Sequence, residues 1–200
     1  MREIGVWGIV SLLLIGCGGR GPKVGVENNT TIPRSGIYNR MDDEQTKYLK
    51  VINYARGIAR ECKSNEVSEE SRGFFPAASP LTINHHLYKA AREHSIDLAK
   101  SNTFSHYGSQ KDSDITGVKL GHPSTFVERI KSNGYVGYRA VGENILAGKS
   151  TIEDAVSVWL DSPGHCANIM NASYKEMGIA KYKNRKSSYK IYWSNEFGAK

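Results

Sequence analysis

His106, His165 and Glu143 are the residues of this chain whose types and settings best suit chemistry. His106, in "NTFSHYG", follows a helix exit and the aromatic Phe104, so its ring could project into a cleft. His165 lies in "WLDSPGHCANIM", where a Ser-Pro-Gly turn fixes how the imidazole is presented. Glu143, in "VGENILAG", follows a glycine that permits close backbone approach, and Asn144 after it could lock a turn. Imidazoles beside a carboxylate can bind a metal or move a proton. Spacing alone does not join them, and no HExxH, GxSxG or paired CxxC motif does so either. The other histidines have plainer readings. His94 falls on the apolar stripe of a helix and should pack with one nitrogen satisfied. His122 precedes a proline in a loop and should be solvated.

The three cysteines divide between two uses. "MREIGVWGIVSLLLIGC" has one arginine and then an apolar stretch too short to cross a bilayer, which needs roughly 20 residues, so it reads as an export signal. Its ending, Leu14-Ile15-Gly16-Cys17, resembles the lipobox of bacterial lipoproteins. That resemblance implies a signal over residues 1–16, removed before an acylated Cys17 that anchors the chain to a lipid membrane. A plain secretory signal is the other reading. Cys62 and Cys166 remain, and in an oxidising compartment two leftover thiols are expected to pair. The alternative for Cys166 is a thiol activated by the neighbouring His165.

The elements that must position these residues can be read from periodicity. The 200 residues, 39% of them hydrophobic, suffice for one domain with one core. Residues 17–41 have the Gly, Asn, Thr and Pro content of a tether, so the domain is expected over 42–200. Tyr48, Ile52, Ala55 and Ala59, widened by Val51 and Ile58, predict a helix over 43–60. Leu87, Ala91, His94 and Leu98 predict a second over 84–101, capped by Asn84. Loops are expected over 63–80 and 105–122. A short helix follows in "STFVERIKSNG", and Ser150 with Glu153 suggests a capping box for a helix ending near Trp159. "EMGIAKYK" and "SYKIYWSNEFG" read as two strands joined by a basic loop. Helices followed by a meandering antiparallel sheet give an α+β class. The net charge of +7 is scattered and comes with no recognition motif, so a nucleic-acid partner is not expected.

"NYAR", "AAREHSIDLAKSNTFSHYG", "GENILAG", "WLDSPGHCANIM" and "EMGIA", in this order, resemble the bacterial branch of the CAP superfamily. This is the SCP/TAPS group of cysteine-rich secretory, antigen 5 and pathogenesis-related 1 proteins. The resemblance runs from about Glu44 to Gly198 and implies a three-layer α-β-α sandwich with a central antiparallel sheet. It also implies a cleft with two histidines and two acidic residues that binds a divalent metal such as Zn2+ in several members. His106, Glu143 and His165 match three of these positions, with His106 and His165 as the metal ligands. Glu176 is the candidate for the fourth, with Asp161 as the outsider. The resemblance further pairs Cys62 with Cys166. It implies an extracytoplasmic module at the bacterial envelope that binds lipid, sterol or cell-wall material. The alternative is a metal-dependent hydrolase in which Glu143 and His165 act on a metal-polarised water.

Overall fold

The structure, a computed structural model, describes residues 34–62 and 73–200. The signal expected over 1–16 and Cys17 lie outside the described residues. No helix among the described residues is long and apolar enough to cross a membrane.

Helix α1 (Arg34–Arg56) buries Tyr48, Ile52 and Ala55, the stripe that periodicity predicts. It stops at Arg56 because Gly57 follows, and this leaves Ile58 and Ala59 exposed rather than in the stripe. Its start at Arg34 falls inside the stretch whose composition suggests a tether. Strands β1 (Arg60–Cys62) and β2 (Gly73–Phe75) form a small antiparallel sheet, so the expected 63–80 loop contains a strand. After β3 (Thr82–Ile83) comes α2 (His85–Ser101), where the Asn84 side chain accepts from the backbone N–H of His86 and Leu87. Asn102 closes that helix in the left-handed region, at φ 57°.

A six-residue helix, α3 (Ile115–Leu120), interrupts the expected 105–122 loop. Helix α4 (Phe126–Ser132) starts at a true capping box between Thr125 and Glu128. Strand β4 (Ala140–Ala147) leads to α5 (Ile152–Asp161). The cap of α5 is Thr151 with Asp154, one residue beyond the expected Ser150 and Glu153, because that register buries Ile152 in the core. The Ser-Pro-Gly segment departs most from expectation. Pro163 stands at the first position of α6 (Pro163–Met170), where its missing N–H has no helical partner to lose and its fixed φ suits the helix. The proline therefore starts a helix where a rigid turn was expected. Strands β5 (Glu176–Lys183) and β6 (Ile191–Ala199) complete the chain.

The central sheet has the order β3-β5-β6-β4. It is antiparallel apart from the two-residue β3, which runs parallel to β5. Alternation along the strands sends Leu146, Met177, Ile179, Trp193 and Phe197 to one face, packed in the main core with α1, α5 and α6. Ile145, Tyr192 and Val141 point to the other face, against α2 and α4. The result is the three-layer α+β sandwich. Gly178 sets how close α2 comes. A Cβ there would lie 1.9 Å from the Tyr88 backbone nitrogen, so only glycine lets the helix backbone rest on the sheet. Side chains also occupy outward carbonyls of the sheet. Val141, Glu143 and Ile145 on β4 accept from the Tyr174 hydroxyl (3.2 Å), Asn168 Nδ2 (3.2 Å) and Trp159 Nε1 (2.9 Å). Ile179 on β5 accepts from Gln45 Nε2 at 2.7 Å.

Candidate functional site

Glu143 sits in the middle of β4 and its side chain is 1% exposed. The stretch around Gly-Glu-Asn, whose loose alternation suits a strand or an extended turn, is a strand, and both neighbours of Glu143 are claimed by packing. Gly142 lies beneath Tyr174, whose hydroxyl would be 2.4 Å from an added Cβ. Asn144 points to the opposite face, where its Nδ2 donates to the His165 carbonyl at 3.0 Å. Asn168 then donates to Asn144 Oδ1 at 2.9 Å and to the Glu143 carbonyl at 3.2 Å. This amide pair fixes α6, and with it His165, to the strand that carries Glu143.

His106 reaches Glu143 from the loop after α2, with Nδ1 2.7 Å from Oε1. Against a carboxylate, Nδ1 carries the proton and donates, so in the neutral ring Nε2 is the nitrogen with the lone pair, on a side chain that is half exposed. The other oxygen, Oε2, accepts from Arg129 Nη2 at 2.8 Å. Arg129, itself 1% exposed on α4, also donates to the carbonyls of His106 (2.9 Å) and Ser124 (2.9 Å). It thereby locks the His106 loop against the strand. Burial alone would raise the Glu143 pKa, but the adjacent His94 ring, the Arg129 guanidinium and donated hydrogen bonds hold it well below the usual carboxylate range.

The His165 ring centroid lies 6.4 Å from that of His106, with the planes tilted by 32°. Its Nδ1 faces Ser162 Oγ at 2.9 Å, leaving Nε2 without a bond to the chain. Burial, then the proximity of His106, lowers its pKa, so it is a neutral base. Cys166 follows on the same helix, about 100° round the axis at 3.6 residues per turn. It forms the disulfide with Cys62, with the Cα atoms 5.6 Å apart. The histidine faces the site and the cysteine faces the core, and a thiol activated by His165 is excluded.

Glu176 does not join this group. Its oxygens accept from Asn84 Nδ2 (2.8 Å) and the Tyr135 hydroxyl (2.7 Å), which ties β5 to the start of α2. Asp161 is exposed at the end of α5. The carboxyl beside Glu143 belongs instead to Glu196, directly opposite it in the β4–β6 pairing and fully buried. A charged residue amid the buried run Tyr192–Ala199 is the signal that points to it. His94, expected only to pack, lies beneath the site. Its Nε2 donates to the Ser105 carbonyl at 3.0 Å and is 3.7 Å from Glu143 Oε2. His122 is exposed, as expected.

Two imidazole nitrogens, His106 Nε2 and His165 Nε2, are the donors on offer. With Zn–N bonds of about 2.0–2.1 Å in a tetrahedral array, shared rings would be centred about 5 Å apart, so these must close by about an ångström. Among the described residues no three His, Cys, Asp or Glu side chains are arranged to hold a metal. The donor set therefore fits a weak two-imidazole site, with Glu143 orienting one ligand from behind.

The profile of the cysteine-rich secretory protein family, CAP, matches residues 49–197. This chain belongs to the CAP family. A curated relative, the uncharacterized protein YkwD of Bacillus subtilis (strain 168), is 35% identical over 104 residues. That match covers 50% of this CAP chain and 34% of YkwD, so the likeness spans about a third of the relative's length. Two solved structures share the fold. An extracellular SCP-domain protein of Bacillus anthracis has TM-score 0.54 and 21% identity, covering 80% of this chain and 41% of that one. An outer surface protein of Borrelia burgdorferi has TM-score 0.53 and 17% identity, covering 81% and 93%.

In this CAP domain His94 makes stability depend on pH. Burial, opposed by Glu143 and aided by Arg129, lowers its pKa from 6.5 to about 4. A base whose folded pKa is depressed stabilises fully above its unfolded value and loses that contribution as pH falls toward the folded one. Stability should therefore drop by about 3 kcal/mol between pH 6.5 and 4, from the shift at 1.36 kcal/mol per unit. Urea denaturation across that window should show the slope in the wild type and lose most of it in His94→Gln.

Proposed function

We propose that this chain is an extracytoplasmic CAP module, tethered to a membrane through an acylated Cys17, that binds a ligand at its histidine pair and does not hydrolyse it. The observation that carries this reading is the engagement of Glu143, whose two oxygens are held by His106 and Arg129. A general base needs a free lone pair on the reacting side. With Glu143 occupied, hydrolysis lacks its carboxylate, and the chemistry left on the surface is two imidazole nitrogens. They suit weak binding of a divalent cation such as Zn2+, which, when bound, would offer a Lewis-acidic contact to a ligand. Phe104 and Tyr107 flank His106 in sequence and are 49% and 62% exposed, and Phe104 packs 6.1 Å from the half-exposed Tyr189. Such open ring faces suit lipid, sterol or cell-wall sugar surfaces. The disulfide and the similarity to an extracellular and an outer surface protein support an extracytoplasmic location at the bacterial envelope.

Calorimetric titration with zinc chloride tests the site. The wild type should show modest binding that weakens at least tenfold in His106→Ala and in His165→Ala, both still folded by circular dichroism. Equal traces for all three proteins would remove the metal from this reading.

A further inference from the structure

Glu143 and Glu196 occupy directly opposed positions on β4 and β6, where side chains on one face of a sheet are close neighbours. Both are buried, and like charges so placed repel strongly away from water. The groups around them do not supply two compensating cations. Helix α4 contributes Arg129, whose Nη2 is spent on Glu143 Oε2. Helix α2 contributes His94, neutral above about pH 4 and aimed at the Ser105 carbonyl. The 103–109 loop contributes His106, bonded to Oε1 of Glu143. Strand β5 contributes Gly178, opposite Glu196, which has no side chain to offer. On β6 itself the Ser194 hydroxyl approaches Glu196 Oε1 at 3.3 Å, while Oε2 faces no donor. One guanidinium thus serves two carboxyls, and the unpartnered Oε2 gains a partner only by carrying a proton that it can donate to Glu143. Burial and the neighbouring Glu143 both push the Glu196 pKa well above the ordinary value.

We infer that Glu196 is a positioning residue of the histidine site: it stays protonated at neutral pH and donates a hydrogen bond to the Glu143 carboxylate, holding that anion in line with His106. The inference deepens the proposed function, since Glu143 orients the His106 ring. Its test contains no metal, so it stands or falls separately from zinc binding.

The experiment uses the full chain labelled with carbon-13 at glutamate side chains. At pH 7 one carboxyl carbon should retain the protonated chemical shift, and Glu196→Gln should lose that signal. The glutamine amide still donates to Glu143, so the His106 Nδ1–H proton bonded to Glu143 should keep its downfield resonance, whereas Glu196→Leu should shift or broaden it. An acid held protonated in the fold loses its stabilising contribution as pH rises above its unfolded value of 4.5. Glu196→Gln should therefore raise the melting temperature at pH 8, with the gain gone by pH 4.5. Finding every glutamate ionised at pH 7, or a glutamine variant that lowers stability equally at both pH values, would overturn the inference. If the leucine variant does not fold, the spectra and melting curves of the glutamine variant decide alone.

Discussion

Arg129→Met should destabilise the protein by about 3–5 kcal/mol at pH 7, the usual cost of leaving a buried charge without its partner. Glu143 would keep its ionised carboxylate facing Glu196 with its guanidinium gone, and the carbonyls of Ser124 and His106 would each lose a donor. Methionine fills most of the same volume, which separates the charge effect from a cavity. The pH dependence identifies the cause. Without the cation, the folded pKa of Glu143 rises, so the variant loses stability as pH increases and the gap from wild type narrows toward pH 5. A second variant, Arg129→Met with Glu143→Leu, should recover much of the loss, because an apolar pair avoids the desolvation that the ion pair must offset. Urea denaturation of the three proteins at pH 5 and pH 7 provides the comparison. A loss below about 1 kcal/mol for the single variant would show that the ion pair does not hold the loop to the strand.

Opening the Cys62–Cys166 bridge should have an effect of similar size, reached by a different route. The bridge joins residues 104 positions apart, and closing a loop of about 100 residues stabilises by up to about 4.7 kcal/mol in the chain-entropy model, with 2–5 kcal/mol typical. Native α6 has other anchors. Arg56 donates to the carbonyls of Ile169 (2.5 Å) and Asn171 (3.1 Å), and Asn144 holds the His165 carbonyl. The folded state of Cys62→Ser with Cys166→Ser should therefore survive, and the loss should come from a freer unfolded chain. That mechanism predicts a steeper denaturant dependence, since the unlinked chain exposes more surface. Denaturation of the wild type with and without reductant should reproduce the double variant.

The most legible parts of this fold were those in which local and tertiary signals agree. In α2 the stripe Leu87, Ala91, His94 and Leu98 and the Asn84 cap point the same way, and the helix lies where they place it. The strands β5 and β6 are readable from apolar content and the basic loop between them. Helix α6 was harder to see. Ser-Pro-Gly satisfies the composition of a turn and of a helix N-terminus alike, and only the core behind Cys166, Ile169 and Met170 decides between them. The cap of α5 slipped by one residue for the same reason, because Ser150–Glu153 and Thr151–Asp154 both fit the pattern.

Three members of the site, His106, Glu143 and His165, were candidates by residue type and setting, and the ordered set of motifs resembling the CAP superfamily is what grouped them. The fourth could not. Glu176 and Glu196 both lie on strands that flank β4 or its neighbour, and choosing between them requires the register. That register places Glu196 opposite Glu143 and sends Glu176 to Gly198, two residues beyond Glu196 along β6. Arg129 was invisible for another reason. An arginine in a short polar helix reads as solvated until the strand and loop that enclose it are assembled.

The carbonyls on the two margins of the central sheet have a consequence for life in a crowd. Backbone acceptors left open at a sheet margin are what a strand of another molecule needs in order to join. Here an indole, a carboxamide and a phenol occupy three of them on β4, and Gln45 occupies Ile179 on β5. Copies of the domain held side by side can therefore be densely arrayed without templating fibrous assembly at those positions.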